Sequence, residues 1–197
     1  MSAATSTSGC TAAILCGGRG RRMGGMRKPL LETAGQSILA RQLAVLTPLF
    51  AEVVLLADEA APFARLGRRV LLDAEPGRGP LPAIAAALRT LAAPALFVVA
   101  GDMPYLAAEA VSLTVEHALA DGVDLAAPWV GGHPEPLHAC YRPTCLPAME
   151  RALVAGRLSV AAVYPEVRVA RIAEAVLRRI DPTLAFLRGV NVPGDLA

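Results

Sequence analysis

The chain has 197 residues and a formal net charge of +2, with 54% hydrophobic and only 4% aromatic residues. That length suits one domain around one large core, and a core so poor in aromatics must be built from Ala, Leu and Val, as in layered α/β proteins. The charge is too small for a nucleic-acid footprint, no apolar run reaches the roughly 18 to 20 residues of a membrane helix, and Met1 to Gly9 lacks the basic start and apolar centre of a secretory signal. We therefore expect residues 1–10 to form a disordered tail and residues 11–197 a single cytoplasmic domain that binds neither nucleic acid nor membrane.

Thr11 to Cys16 reads as a buried strand, a short apolar run that stops at glycines. It opens into Leu15-Cys16-Gly17-Gly18-Arg19-Gly20-Arg21-Arg22-Met23-Gly24-Gly25-Met26-Arg27-Lys28, a glycine- and arginine-rich loop. Glycines let the backbone approach a ligand and turn successive N–H groups toward one anion, while Arg22 and Lys28 supply charge. The expected ligand is a nucleoside triphosphate. Two other phosphate loops do not fit. The P-loop needs Lys-Ser/Thr after its last glycine, whereas Lys28 stands between Arg27 and Pro29. The dinucleotide fingerprint matches Gly18 and Gly20 but meets Met23 at its third glycine. A basic surface loop is the plain alternative; the strand before it and an extended Lys28-Pro29-Leu30-Leu31 after it argue for an anchored loop.

A helix is expected over Ser37 to Leu46, capped by Ser37, then a strand at Glu52 to Ala57, a short helix at Ala60 to Leu66, and a strand at Arg69 to Leu72 that ends at Asp73. The turn-rich Glu75-Pro76-Gly77-Arg78-Gly79-Pro80-Leu81-Pro82 leads into a helix over Ala83 to Leu91. Ala95 to Ala100 is the clearest strand. It ends in Gly101-Asp102-Met103-Pro104-Tyr105 and is followed by a helix over Ala107 to Ala120. Beyond Gly122 we expect strands at Asp124 to Pro128, Leu137 to Tyr141 and Val167 to Ile172, a helix over Cys145 to Ala155, and a short helix over Pro182 to Leu187. Alternating strands and helices imply a three-layer α/β fold, Rossmann-like, with a mostly parallel, doubly wound sheet whose strand C-termini form the ligand edge.

Asp73, Asp102 and the glycine loop all follow strands, so one rim of the sheet should gather them. Asp102 suits a carboxylate facing Mg²⁺, which takes one or two protein oxygens and leaves the rest to phosphates and waters; as a helix N-cap before Pro104 it would do only structural work. Asp73 has a plain reading too, as a turn former before Pro76. Cys10, Cys16, Cys140 and Cys145 contain no Cys-x-x-Cys pair, so reduced, structural thiols are expected and zinc is not.

Leu15-Cys16-Gly17-Gly18 with Arg22-Met23-Gly24 and Lys28, then Gly79-Pro80-Leu81, Asp102-Met103-Pro104-Tyr105 and Asn191-Val192-Pro193-Gly194-Asp195-Leu196 resemble, in order and spacing, the successive motifs of molybdenum cofactor guanylyltransferases. The resemblance runs from about residue 12 to the C-terminus. It implies the nucleotide-diphospho-sugar transferase type of fold, and transfer of GMP from GTP to the terminal phosphate of molybdenum-bearing molybdopterin, with pyrophosphate released. By position it implies that Leu15, Cys16, Gly17 and Gly18 hold nucleotide through backbone groups, that Gly79 belongs to the nucleotide site, that Lys28 contacts phosphate and Arg22 neutralises the triphosphate, that Asp73 lies near the guanosine, and that Asp102 binds Mg²⁺ with help from Asn191. It also implies transient contacts with proteins of cofactor biosynthesis or molybdoenzyme maturation. The chain departs from the family pattern at Cys16, where alanine is usual, at Leu56, where an asparagine contacting guanosine often stands and Asp58 is the nearby substitute, and at Gly189, the first of two usual asparagines.

His117 reads as structural. His133 and His138 flank Pro134-Glu135-Pro136, where the resemblance implies an acceptor side, and Trp129 either stacks on a pterin or fills the core. Competing functions are a cytidylyl or sugar-phosphate transferase of the same superfamily and a catalytically silent nucleotide-binding adaptor. Gly17-Gly18 and Gly79-Pro80-Leu81 resemble the guanylyl form, and Lys28 together with Asp102 argues against the adaptor.

Overall fold

A computed structural model describes residue 7 and residues 9–17, 27–33 and 35–190. The elements are β1 (Thr11–Leu15), β2 (Glu32–Thr33), β3 (Gln36–Ser37), α1 (Ile38–Leu46), β4 (Glu52–Ala57), β5 (Val70–Leu72), α2 (Pro80–Thr90), β6 (Leu96–Ala100), α3 (Ala108–Leu119), β7 (Leu125–Val130), β8 (His133–Pro134), β9 (His138–Tyr141), α4 (Leu146–Val154), β10 (Val169–Ala173) and α5 (Glu174–Ile180), with 3₁₀ turns between them. The main sheet runs β10-β7-β9-β6-β1-β4-β5, with β8 paired to β7. β1 is parallel to β4 and β6, β4 to β5 and β10 to β7; β9 is antiparallel to both of its neighbours.

Side chains alternate across a strand, and here both faces are buried, which is why these strands read as unbroken apolar runs. Ala13, Val54, Leu56 and Val98 pack with Leu81, Ile84 and Leu88 of α2 and Met149 and Ala152 of α4. Ala12, Ile14, Val53, Leu55, Phe97 and Val99 pack on the opposite face with Leu39 and Leu46 of α1 and Val111 and Val115 of α3. Three layers result, as the alternating elements required. The C-terminal ends of β1 and β6, adjacent in the sheet but far apart in sequence, form the crevice where such folds take ligands.

Four local expectations are corrected. Lys28-Pro29-Leu30 is a 3₁₀ turn and not extended, since proline's fixed φ is tolerated in a first turn. Helix α2 starts at Pro80 rather than Ala83: Gly79 sits ahead of it at φ 85, and prolines at 80 and 82 occupy first-turn positions whose N–H groups have no partner in the helix. Residues 174–180, read as no element, form α5, which buries Leu177 and pairs Glu174 with Arg178 one turn on; the short helix expected over Pro182 to Leu187 shrinks to a 3₁₀ turn, Ala185–Leu187. Residues 1–6 and 8 of the expected tail lie outside the described residues, while Thr7 and Cys10 are packed in, with the Cys10 N–H donating to the Thr7 carbonyl. The remaining elements match within one or two residues, and Ser37 caps α1 by accepting from the Ala40 N–H at 3.1 Å.

Candidate active site

A cleft of about 470 Å³ opens at the C-terminal rim of the sheet, and its walls include Leu15, Gly17, Lys28, Asp73, Gly79 and Asp102. Sequence reasoning had singled out all six, from segments spread over nearly ninety residues. Gly18, Arg22 and Asn191 lie outside the described residues. Cys16 does not line the cleft: its side chain is fully buried on the α1 face and its N–H donates to the Leu56 carbonyl at 2.7 Å. Burial pushes its thiol pKa up to about 12, which removes it as a nucleophile.

Lys28 and Asp102 meet directly, Nζ donating to Oδ2 at 2.9 Å. Both side chains are part-exposed at the cleft, so this cation and this anion face the same ligand space. Asp73 borders the cleft, and its Oδ1 accepts the Glu75 N–H at 2.9 Å in the local turn its plain reading expects. Leu56, where the family pattern carries asparagine, contributes an apolar wall.

Several residues quoted above without a partner gain one here. Arg27 pairs with Asp58 at 2.5 Å and Glu59 at 3.3 Å, its guanidinium 5.7 Å from the Phe63 ring centroid. Asp58, the substitute envisaged for guanosine contact, therefore spends an oxygen on Arg27. Gly101 packs its backbone against β1, and the Gly101 N–H donates to the Leu15 carbonyl at 3.0 Å. From the far end of the chain, the Val190 N–H donates to the Asp102 carbonyl at 2.8 Å, which brings Gly189 beside the Asp102 carboxylate.

The histidines and Trp129 resolve differently. His117 stays structural, its Nδ1 2.9 Å from the Leu113 carbonyl. His138 faces the core and not an acceptor: it is fully buried between Phe97, edge-on at 5.1 Å, and Phe186 at 5.4 Å. Register explains this, because His138 pairs with Val99, whose side chain lies on the α3 face. Neither ring nitrogen has a hydrogen-bond partner among the described residues, and desolvation lowers the pKa to about 4. The unfolded chain takes up this proton near 6.5 and the folded chain only near 4, so His138 removes stability as pH falls through that interval and costs nothing above it. We expect His138→Leu to flatten the pH dependence of the unfolding free energy, obtained from urea denaturation between pH 6.5 and 4, by on the order of 3 kcal/mol; superimposable curves for the two proteins would overturn the buried, neutral imidazole. Trp129 is half-buried with Arg171 4.3 Å over its ring and Tyr164 beside it at 5.9 Å.

Comparison with known proteins decides the family. The sequence matches the MobA-like NTP transferase domain over residues 12–169. It is 41% identical to a Pelotomaculum thermopropionicum protein named "Probable molybdenum cofactor guanylyltransferase", an alignment covering 94% of this chain and 89% of that one. The chain belongs to the molybdenum cofactor guanylyltransferase family. A second member, the molybdenum cofactor guanylyltransferase of Desulfosudis oleivorans, is 33% identical over 94% of this chain and 92% of its own. Among solved structures, molybdopterin-guanine dinucleotide biosynthesis protein A from Archaeoglobus fulgidus superposes with a TM-score of 0.80 at 27% identity, covering 94% of both chains. The fold is thus that of nucleotidyltransferases of the nucleotide-diphospho-sugar transferase type, as expected from the family resemblance. No helix among the described residues is long and apolar enough to cross a membrane.

Proposed function

We propose that this chain transfers GMP from GTP to the terminal phosphate of molybdenum-bearing molybdopterin, making the guanine dinucleotide and releasing pyrophosphate. The observation that carries this reading is the cleft at the β1/β6 crevice, where Lys28 and Asp102 are brought within 2.9 Å of one another. An acceptor phosphate oxygen attacks the α-phosphorus, and the bond from that phosphorus to the oxygen bridging the β-phosphate breaks, its electron pair leaving with pyrophosphate. The nucleophile is already an anion, so no serine, cysteine or histidine needs activation. The neutral Cys16 and core-bound His138 accord with that. The obstacle is repulsion between polyanions, and the chain answers it by positioning and charge.

In this reading the backbone of residues 15–18 cradles the nucleotide, Lys28 and Arg22 spread phosphate charge, and Asp73 and Gly79 border the guanosine. Asp102, with Asn191, is the seat for Mg²⁺. The site fits such an ion: the Asp102 carboxylate is part-exposed in the cleft wall and offers the oxygen donor that Mg²⁺ takes from protein, with space in the cleft for the phosphates and waters that complete its shell. A Cβ on Gly189 would stand 3.2 Å from Asp102 Oδ1, so glycine keeps one carboxylate oxygen uncrowded. When bound, the metal supplies charge neutralisation at the phosphates.

The base is tested by thermal shift. GTP with Mg²⁺ is expected to raise the melting temperature more than CTP, ATP or UTP does, because ligands that bind only the folded state stabilise it by mass action, about 2.7 kcal/mol at a hundredfold excess over Kd. Equal or greater protection by CTP would move the chain to the cytidylyl branch.

A further inference from the structure

We propose that Gln42 is a positioning residue that sets the Asp102 carboxylate in the cleft. The inference rests on the reading of Asp102 as the metal carboxylate and adds the device that aims it. Gln42 lies on α1 among Ile38, Leu39 and Leu46, all buried, and is itself fully buried. An amide at such a position is unfavourable unless its hydrogen bonds are met. Its Nε2 meets its share at one place, donating to the Ala100 carbonyl at 2.7 Å and to the Met103 carbonyl at 3.0 Å, while its Oε1 has no partner among the described residues, so the two donated bonds are what hold the amide there. Those carbonyls are the two ends of the turn that carries Asp102. Reversing the amide would set its oxygen against both carbonyl oxygens, so the acceptors themselves determine its orientation.

Several other polar groups of that turn are tied elsewhere. The Gly101 N–H goes to Leu15, the Asp102 carbonyl to the Val190 N–H, and the Met103 N–H closes on Ala100 at 3.3 Å. Among the described residues the Met103 carbonyl accepts only from Gln42. Without Gln42 the far end of the turn loses its tie to α1, and buried carbonyls seek partners by moving. A leucine or methionine would suit the apolar stripe of α1 better, yet neither could hold both ends of the loop. Groups of this kind, which orient a metal ligand without touching the metal, typically alter metal affinity by 10- to 100-fold when replaced.

The test uses Mn²⁺ as probe, counted by electron paramagnetic resonance in the complex of the full chain with GTP and without acceptor, beside GTP binding in EDTA. Gln42→Leu is expected to weaken Mn²⁺ binding by roughly 10- to 100-fold and to leave metal-free GTP affinity within about twofold, whereas Leu46→Ala, which destabilises the same helix without touching the turn, should leave both unchanged. Gln42→Glu, equal in shape but kept protonated by burial against two carbonyl oxygens, donates one hydrogen bond where the amide donates two, and should lose less Mn²⁺ binding than Gln42→Leu. Should Gln42→Leu fail to fold, Gln42→Met, unbranched and of similar length, is read by the same criteria. Native Mn²⁺ binding in the Gln42 variants with loss in Asp102→Asn overturns the positioning role alone; native binding in Asp102→Asn overturns it together with the metal reading. A loss of Mn²⁺ binding in Leu46→Ala equal to that in Gln42→Leu would reduce Gln42 to general stability.

Discussion

Asp102→Asn is expected to lose turnover by on the order of 10²-fold or more, the scale seen when one preorganised charge-stabilising group is removed from a transition state. The side chain keeps its shape, and the backbone ties on both sides of it, from the Gly101 N–H to Leu15 and from the Val190 N–H to the Asp102 carbonyl, are untouched. What disappears is the negative charge. Two consequences can be separated. Stability should change little, because the pair with Lys28 is part-exposed on both sides, at 30% and 26%, and water-screened pairs contribute about 0 to 1 kcal/mol. Metal dependence should change greatly, since asparagine offers a cation a neutral oxygen where a carboxylate stood. Initial rates of dinucleotide formation across a Mg²⁺ titration at saturating GTP measure the effect, with thermal midpoints as the control for folding. A near-native rate with native metal dependence would sink the metal role and leave Asp102 as a turn residue.

Gly101→Ala should damage fold and activity together. A Cβ at this position would lie 2.6 Å from the Leu15 carbonyl oxygen and 2.6 Å from Pro29 Cγ, closer than side-chain carbons pack. The first obstacle is backbone at the end of β1 and already accepts the Gly101 N–H, so it cannot retreat without opening the β1–β6 junction. Overpacking of this kind costs about 1 to 3 kcal/mol, and here the upper end is expected because both neighbours are constrained, one by the ladder and one by its ring. Any relief moves Asp102, the next residue, and Lys28, which precedes Pro29. Urea denaturation and steady-state kinetics check this: a native midpoint with native kcat would show that the turn tolerates the methyl group and that its tight seat is not needed.

Much of this architecture was legible locally. Glu52 to Ala57 and Ala95 to Ala100 read as buried strands because strands covered on both faces are continuous apolar runs, and Ser37 read as a cap because a hydroxyl there can reach the Ala40 N–H. Asp73, Asp102 and Gly17 were expected on one rim since each follows a parallel strand, and the cleft gathers them there. Boundaries slipped where propensity misleads. Prolines at 80 and 82 looked like loop but serve as a first turn, and α5 is too short and too polar to show periodicity.

By itself the sequence determined the layered α/β class, the succession of strands and helices along the chain, and the family, because buried strands, turn residues and ordered motifs are local patterns that survive without knowing any partner. Tertiary structure alone decided who meets whom: Arg27 with Asp58 across 31 positions, Lys28 with Asp102 across 74, and the Gln42 amide with carbonyls 58 and 61 residues away. It also decided which way His138 faces, since pairing with Val99 in the antiparallel β9–β6 ladder puts that ring on the α3 side and a one-residue slip would have put it on the other. Such contacts depend on sheet register and on the parity of side chains along strands that the chain brings together only when folded, and no window of residues read on its own contains that information.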